Sequence, residues 1–306
     1  RKARAALVTN VAADHLGQYG INTVPELATV KLAIHRALDD DGVFILNADD
    51  EFVVAESINI SVNICWFSLD DNNPQILKNR QNGLLCAWMS GDNLVYFDGQ
   101  NETIVIPVND IPLTMGGAAD YNIRNALGTI CLARVMGTGF DAIRAGLSGF
   151  TNNPKDNPGR CNEFIIKGAR VFIDFAHNPH SIAAVTTALG KVEGKRRFLM
   201  VGHAGDRSDE DIRGLTRGAF AFRPDYMIAN ENPEYLRGRE LGEVSNIVRD
   251  ESMKQGMPGD NVIMADSIPD GVAKALAEIQ EGDVALLLVH TDRDEVFELI
   301  EKALNP

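Results

Sequence analysis

Two rhythms of apolar and polar residues divide this chain, and the change between them falls near residue 155. In the first part the run Ala5-Ala6-Leu7-Val8 gives way to Thr9-Asn10, which predicts a buried strand over Leu7–Asn10 whose end arrives at a site. Thr23, with Glu26 three residues on, forms a capping-box pattern ahead of Leu27, Val30, Ile34 and Leu38 at helical spacing, so a helix is expected over Val24–Leu38. Val43–Asn47 reads as a second buried strand. Between Asn63 and Pro107, short apolar segments (Ile64–Phe67, Leu84–Met89, Leu94–Phe97, Ile104–Ile106) separated by Asn-Gly, Gly-Asp-Asn and Asp-Gly predict a β-meander. Helices are expected at Ala119–Met136 and Phe140–Gly149.

The segment Thr151–Gly159, polar and with two prolines, is the best linker, and the pattern predicts a first domain over 1–157 and a second over 158–306. Beyond it strands alternate strictly with helices. Strands are predicted at Val171–Phe175, Phe198–Val201, Tyr226–Ala229, Val262–Met264 and Val284–Val289. Helices are predicted at Ser181–Leu189, Asp209–Phe220, Leu241–Gln255, Ile268–Ile279 and Asp294–Leu304. That alternation means βαβ units and a parallel, doubly wound α/β sheet.

Composition narrows the partners. In 306 residues the hydrophobic share is 45% and the charged share 24%, which is ordinary for two globular domains. A formal net charge of -14 argues against wrapping nucleic acid but leaves a single bound nucleotide open. The four cysteines (Cys65, Cys86, Cys131, Cys161) lie too far apart for a metal cluster and are expected to be reduced, mostly buried thiols. No apolar run approaches a membrane span and the opening residues lack the pattern of a signal peptide, so no membrane is expected and the cytoplasm is the default location.

In doubly wound sheets, ligands gather at the carboxyl ends of strands. Two strands here end in polar clusters, Asp174-Phe175-Ala176-His177-Asn178-Pro179 and Gly202-His203-Ala204-Gly205-Asp206-Arg207. On spacing alone these residues serve equally as turn formers or as ligand contacts. The same holds for Asn10…Asp14-His15 after the first strand, where an Asp and an imidazole suit Mg²⁺ or an ordinary loop. Lys31 lies on the following helix and reads as a surface lysine or a functional one. Asn122 and Asn125, three apart, share a helix face, where paired amides either read a base edge or cap a first turn. Gly137-Thr138-Gly139-Phe140-Asp141-Ala142 sits between two helices rather than after a strand, so it is a helix stop and restart.

Taken in order, Asn10…Asp14-His15-Leu16, Lys31, Asn47-Ala48-Asp49-Asp50, Asn122/Asn125, Gly159-Arg160 and Asp174–Pro179 resemble the Mur ligase superfamily. Val8-Thr9-Asn10, Ala204-Gly205-Asp206-Arg207 and Leu236-Arg237-Gly238-Arg239-Glu240 are similar in particular to its cyanophycin-synthetase branch. The resemblance implies part of a central ATP-binding domain followed by a Rossmann-like C-terminal domain. It also implies an ATP-dependent ligase that joins an amino acid to a carboxylate or peptide acceptor through an acyl phosphate. It assigns His15 to Mg²⁺, with Lys31 as a second metal ligand when carbamylated, and both to catalysis. It places Asn47, Asp49, Asn122, Asn125, Arg160, Asp174, His177 and Asn178 at the nucleotide, and Asp206, Arg207 and Arg237 at the amine substrate. In these enzymes the phosphate loop lies upstream of the Asp-His motif, and here nine residues precede Asn10, so a longer parent protein is expected. The alternative is a non-catalytic nucleotide-binding or interaction module with the same fold. Assembly into a homo-oligomer stays open.

Overall fold

The computed structural model describes residues 2–13, 16–17 and 19–305. The chain divides into two compact units, one ending at Thr151 and the other starting at Asn152. The polar segment that reads as a linker belongs to the second unit, because Asn162 Nδ2 donates to the carbonyls of Asn152 (2.9 Å) and Asn157 (2.8 Å).

In the first unit a six-stranded sheet runs in the order β1-β2-β3-β4-β5-β6. The strands are β1 (Ala3–Val8), β2 (Leu38–Asn47), β3 (Asn63–Ser68), β4 (Cys86–Ser90), β5 (Asn93–Phe97) and β6 (Glu102–Pro107). The first four are parallel and the last two antiparallel. Helices α1 (Val24–Leu32), α2 (Glu51–Ser57), α3 (Pro74–Gln81), α4 (Asp120–Val135) and α5 (Phe140–Gly149) complete the unit. Alternation along the strands feeds two cores. Phe44, Leu46 and Trp66 pack with Leu27 and Leu32 of α1, whereas Ile45, Cys65 and Phe67 pack with Ile123, Leu127 and Ile130 of α4.

Three expectations change here. The capping box of α1 is present, Glu26 Oε2 accepting from the Thr23 amide at 3.0 Å, but the helix stops at Leu32. Its buried face is Leu27, Ala28 and Leu32, while Val30 and Ile34 are exposed and Leu38 is already a strand residue opposite Ala3. The meander is confined to β4–β6, because α3 carries the chain across so that β4 pairs parallel to β3. That helix buries one aliphatic residue, Ile76, and an amide, Asn79, whose Nδ2 bonds the carbonyls of Ile64 and Leu85. It therefore has little apolar rhythm to read, and its sequence signal is the Asn73 cap before Pro74. The seven-residue α2, capped by Asp50, is too short to show a period.

The second unit holds a sheet in the order β11-β10-β9-β12-β8-β7. It comprises β7 (Asn162–Ile166), β8 (Ala169–Asp174), β9 (Arg197–Val201), β10 (Tyr226–Asn230), β11 (Val262–Ala265) and β12 (Val284–Leu288). Its helices are α6 (Pro179–Gly190), α7 (Asp209–Ala219), α8 (Glu243–Lys254), α9 (Ile268–Glu278) and α10 (Arg293–Leu304). The five strands from β8 onward are parallel, as the alternation requires. β7 adds an antiparallel edge through a two-residue turn, Lys167-Gly168, both at positive φ (51° and 76°). The last strand, β12, lies between β8 and β9, so the loops after those three strands leave the sheet side by side. All four cysteines are buried and outside any disulfide. No helix among the described residues is long and apolar enough to cross a membrane.

Candidate functional site

In the first unit the strand-end residues hold one another. Asn47, buried at the end of β2, donates from Nδ2 to the Thr9 carbonyl (2.8 Å) and accepts from the Asp49 amide (2.9 Å). Asp49 accepts from Ser68 Oγ (2.5 Å) and the Leu69 amide (2.9 Å), and pairs with Arg124 of α4 at 3.1 Å. Asn122 sends Nδ2 to the Leu113 carbonyl and accepts from Asn125 Nδ2 at 3.3 Å, so the two amides do share a face. Asp50 caps α2 through the Phe52 and Val53 amides and also receives the Val11 amide at 2.7 Å, which fixes the loop after β1 to the end of β2. Replacing Asp50 with alanine is expected to cost about 1–2 kcal/mol, the usual loss of a cap. Urea unfolding of the variant measures it, and an unchanged midpoint would contradict the bracing role.

Lys31 is exposed in the last turn of α1. His15 lies outside the described residues, as does Asp14. Among the described residues, no group of three or more His, Cys, Asp or Glu side chains is placed to hold a metal ion. Lys31 alone does not make such a site.

In the second unit the crossing of β12 between β8 and β9 leaves a cavity of about 200 Å³ at the strand ends. Four loops line it. Phe175 and His177 come from β8, His203, Ala204 and Arg207 from β9, Asn232, Tyr235 and Arg237 from β10, and His290 and Thr291 from β12. The walls are stitched together. Arg207 donates to the His177 carbonyl at 2.9 Å, joining the loops after β9 and β8. His290 Nε2 meets the Ala176 carbonyl at 2.9 Å. Arg239 donates to the carbonyls of Gly205 (2.9 Å) and Arg207 (2.8 Å), and Gly205 donates to the Tyr235 carbonyl at 2.8 Å. Asp206 and Arg237 form an ion pair at the rim, both half exposed.

Asp174 and Asn178 already have structural duties. Asp174 is buried, and its two oxygens accept the amides of Cys161 (2.8 Å) and Ala176 (2.7 Å), while burial pushes its carboxyl pKa up. Asn178 caps α6, accepting the Ser181 amide at 2.9 Å. Both carboxylate oxygens of Asp174 and the Oδ1 of Asn178 thus orient the β8 loop. Arg160 lies over the Phe175 ring at 5.8 Å.

Two lining residues, one from the strand-end cluster already named and one that sequence reasoning left out, have unsatisfied atoms. His203 is 3% exposed and Asn232 6% exposed, and His203 Nε2 and Asn232 Oδ1 have no hydrogen-bond partner. A buried polar atom without a partner costs roughly 1–3 kcal/mol, so the pair is suited to a ligand that completes its bonds. Burial first, then the neighbouring His290 and Arg207, pushes the His203 pKa down to about 3, and burial first of all takes His290 to about 4. Both rings are therefore neutral at physiological pH. The strand-end rule, applied to β10 and β12 as well, would have reached Asn232 and His290.

Fold and site thus define a chain of two α/β units, the second of them doubly wound with a polar-lined cavity at its strand ends. Residues 1–133 match the Mur ligase middle domain, and residues 159–288 the Mur ligase, glutamate ligase domain. The chain is 35% identical over 304 residues to cyanophycin synthetase of Synechocystis sp., covering 98% of this chain and 34% of that protein. It is 24% identical over 309 residues to UDP-N-acetylmuramate–L-alanine ligase of Clostridium novyi, covering 97% and 60%. Among solved structures, E. coli FolC in complex with ADP superposes with a TM-score of 0.67 at 18% identity (100% of this chain, 64% of that one). MurF of Acinetobacter baumannii superposes with a TM-score of 0.65 at 17% identity (98% and 60%). The chain belongs to the Mur ligase superfamily. It spans between about a quarter and a third of the length of the cyanophycin synthetases it matches.

Proposed function

We propose that this chain is part of an ATP-dependent carboxylate–amine ligase of the cyanophycin-synthetase type, and that the cavity of the second unit receives the incoming amino acid. The carrying observation is that cavity, lined by two arginines and by two buried polar atoms that lack partners. A carboxylate is a poor electrophile. Its oxygen attacks the γ-phosphorus of ATP, ADP leaves, and an acyl phosphate results. The amine nitrogen then attacks the acyl carbon and loses a proton, and inorganic phosphate departs.

The cavity has chemistry suited to the second step. Arg207 and Arg237 attract the α-carboxylate of an amino acid. Neutral His203 and Asn232 Oδ1 offer bonds to its nitrogen end, and Asp206 lies paired beside Arg237. With Arg237 paired to Asp206, the charge of Arg207 beside neutral imidazoles disfavours an ammonium, which pushes the bound amine towards its nucleophilic neutral form. Asn47, Asp49, Asn122 and Asn125 are assigned to the adenine, and Arg160 and His177 to the ribose and phosphates, with Asp174 and Asn178 positioning their loop. Mg²⁺ is assigned to His15, with Lys31 joining it if carbamylated. A cytoplasmic location accords with this chemistry.

The test is ADP release by the full-length protein with a panel of amino acids and carboxylate acceptors. At least one amino acid is expected to stimulate release, and Arg207→Gln to raise its KM about tenfold or more with the KM for ATP unchanged. If no amino acid stimulates release, the ligase reading fails. If the variant changes only the KM for ATP, the cavity is not the amine site.

A further inference from the structure

Phe175 stands at the carboxyl end of β8 and lines the cavity, yet its ring has a second set of neighbours. The guanidinium of Arg160 lies 5.8 Å from its centroid and that of Arg293, the first residue of α10, lies 5.1 Å from it. Arg293 also packs along the turn that presents Arg160. A Cβ added to Gly159 would lie 3.6 Å from its guanidinium nitrogen. Gly159 is held there at φ +73° by donation from its amide to Asn162 Oδ1 at 2.7 Å.

Two guanidinium groups thus collect on one ring, and neither has a carboxylate partner among the described residues. This is not for want of acids. The chain has 43 acidic residues against 29 basic ones, and Asp292, Asp294 and Glu295 surround Arg293 in sequence. The charge of Arg160 lowers the Asp174 pKa against the larger effect of burial, but both Asp174 oxygens are taken by main-chain amides. Two guanidinium charges on one ring, neither bonded to a carboxylate, repel, and a multiply charged anion turns that repulsion into attraction. Guanidinium forks match the tetrahedral oxygens of a phosphoryl group.

We propose that Arg293 and Arg160 form a two-arginine clamp for the phosphate groups of the nucleotide, with Phe175 as its floor. The inference rests on the nucleotide reading given above and adds Arg293, which no motif in the sequence singles out. Position supports it. Phe175 also carries the edges of His177 and His290, which line the amine cavity, with centroids 5.2 and 5.8 Å away. A phosphoryl group held at this ring therefore sits within reach of the cavity that the same ring lines, the proximity that attack on an acyl phosphate requires.

Binding of ADP and of adenosine to full-length protein, wild type and Arg293→Gln, separates the outcomes. Arg293 is exposed, so the variant keeps its fold, and a thermal melt confirms this. ADP affinity is expected to fall about tenfold, adenosine affinity to hold, and the salt dependence of ADP binding to become shallower. Arg293→Lys should restore part of the loss. Equal ADP binding by wild type and variant overturns the clamp, as does an equal loss of adenosine, which would mean that Arg293 only packs the ring. If the wild type binds no ADP, the nucleotide reading itself falls, and inorganic pyrophosphate then decides the clamp. Weaker pyrophosphate binding by Arg293→Gln upholds it as an anion site, and unchanged binding overturns it.

Discussion

Replacing Gly205 with alanine is expected to abolish saturable amino-acid use and to destabilise the second unit by about 3 kcal/mol or more. Gly205 is buried where the β9 and β10 loops touch, and a Cβ there would lie 2.0 Å from the Leu236 carbonyl oxygen. The obstacle is main chain, which no rotamer change relieves. Gly205 is also fixed on both sides, its amide donating to the Tyr235 carbonyl and its own carbonyl accepting from Arg239. Making room therefore separates Ala204 and Arg207 from Tyr235 and Arg237, all of which line the cavity. Urea unfolding and amino-acid-dependent ADP release measure the two effects. A variant with the wild-type midpoint and KM would show that the loops are loosely joined and that the cavity does not depend on their contact.

Acid should weaken the second unit earlier than carboxylate chemistry alone allows. His203 and His290 have folded pKa values pushed down to about 3 and about 4, whereas an unfolded histidine titrates near 6.5. Their contribution is present above about pH 6.5 and is lost as the pH falls towards the folded values, because the unfolded chain takes up protons that the buried rings refuse. Between pH 7 and pH 5 each histidine should cost about 2 kcal/mol. The carboxylates held low in this unit against the opposing effect of burial, Asp270 by Lys274 and Asp283 by Arg196, act only below about pH 4.5. Asp174, raised by burial, opposes the trend with a single group. Urea midpoints at the two pH values, followed by circular dichroism, test this, and His203→Asn should remove about half of the difference. A variant as acid-sensitive as the wild type would mean that His203 contributes nothing to that difference.

How much of this the residues reveal depends on whether the signal is local. The strands of the second unit were legible because their apolar runs are short and bounded by helix caps, as at Asn178 and Ser208. Helix α3 was not, since a single buried aliphatic residue, Ile76, gives no rhythm. The strand-end rule found the loops after β8 and β9. It did not reach His290 or Asn232, because strand order decides which loops converge, and no periodicity encodes the placement of β12 between β8 and β9. Likewise Asp174 reads in sequence as a turn former or a ligand contact, and in the structure its carboxylate accepts two main-chain amides.

That placement of β12 also bears on how the chain acquires its shape. β8 and β9 do not touch each other across the sheet, and both wait for residues 284–288 to arrive between them. During synthesis they carry unpaired inner edges while more than 80 further residues are added, a topology of distant pairings that folds slowly and exposes strand edges to other chains. His290 and Thr291 follow directly on that strand, so the cavity closes only when the final stretch of the domain has been made. A ribosome stalled before residue 284 would therefore hold a domain with neither a closed sheet nor a binding site.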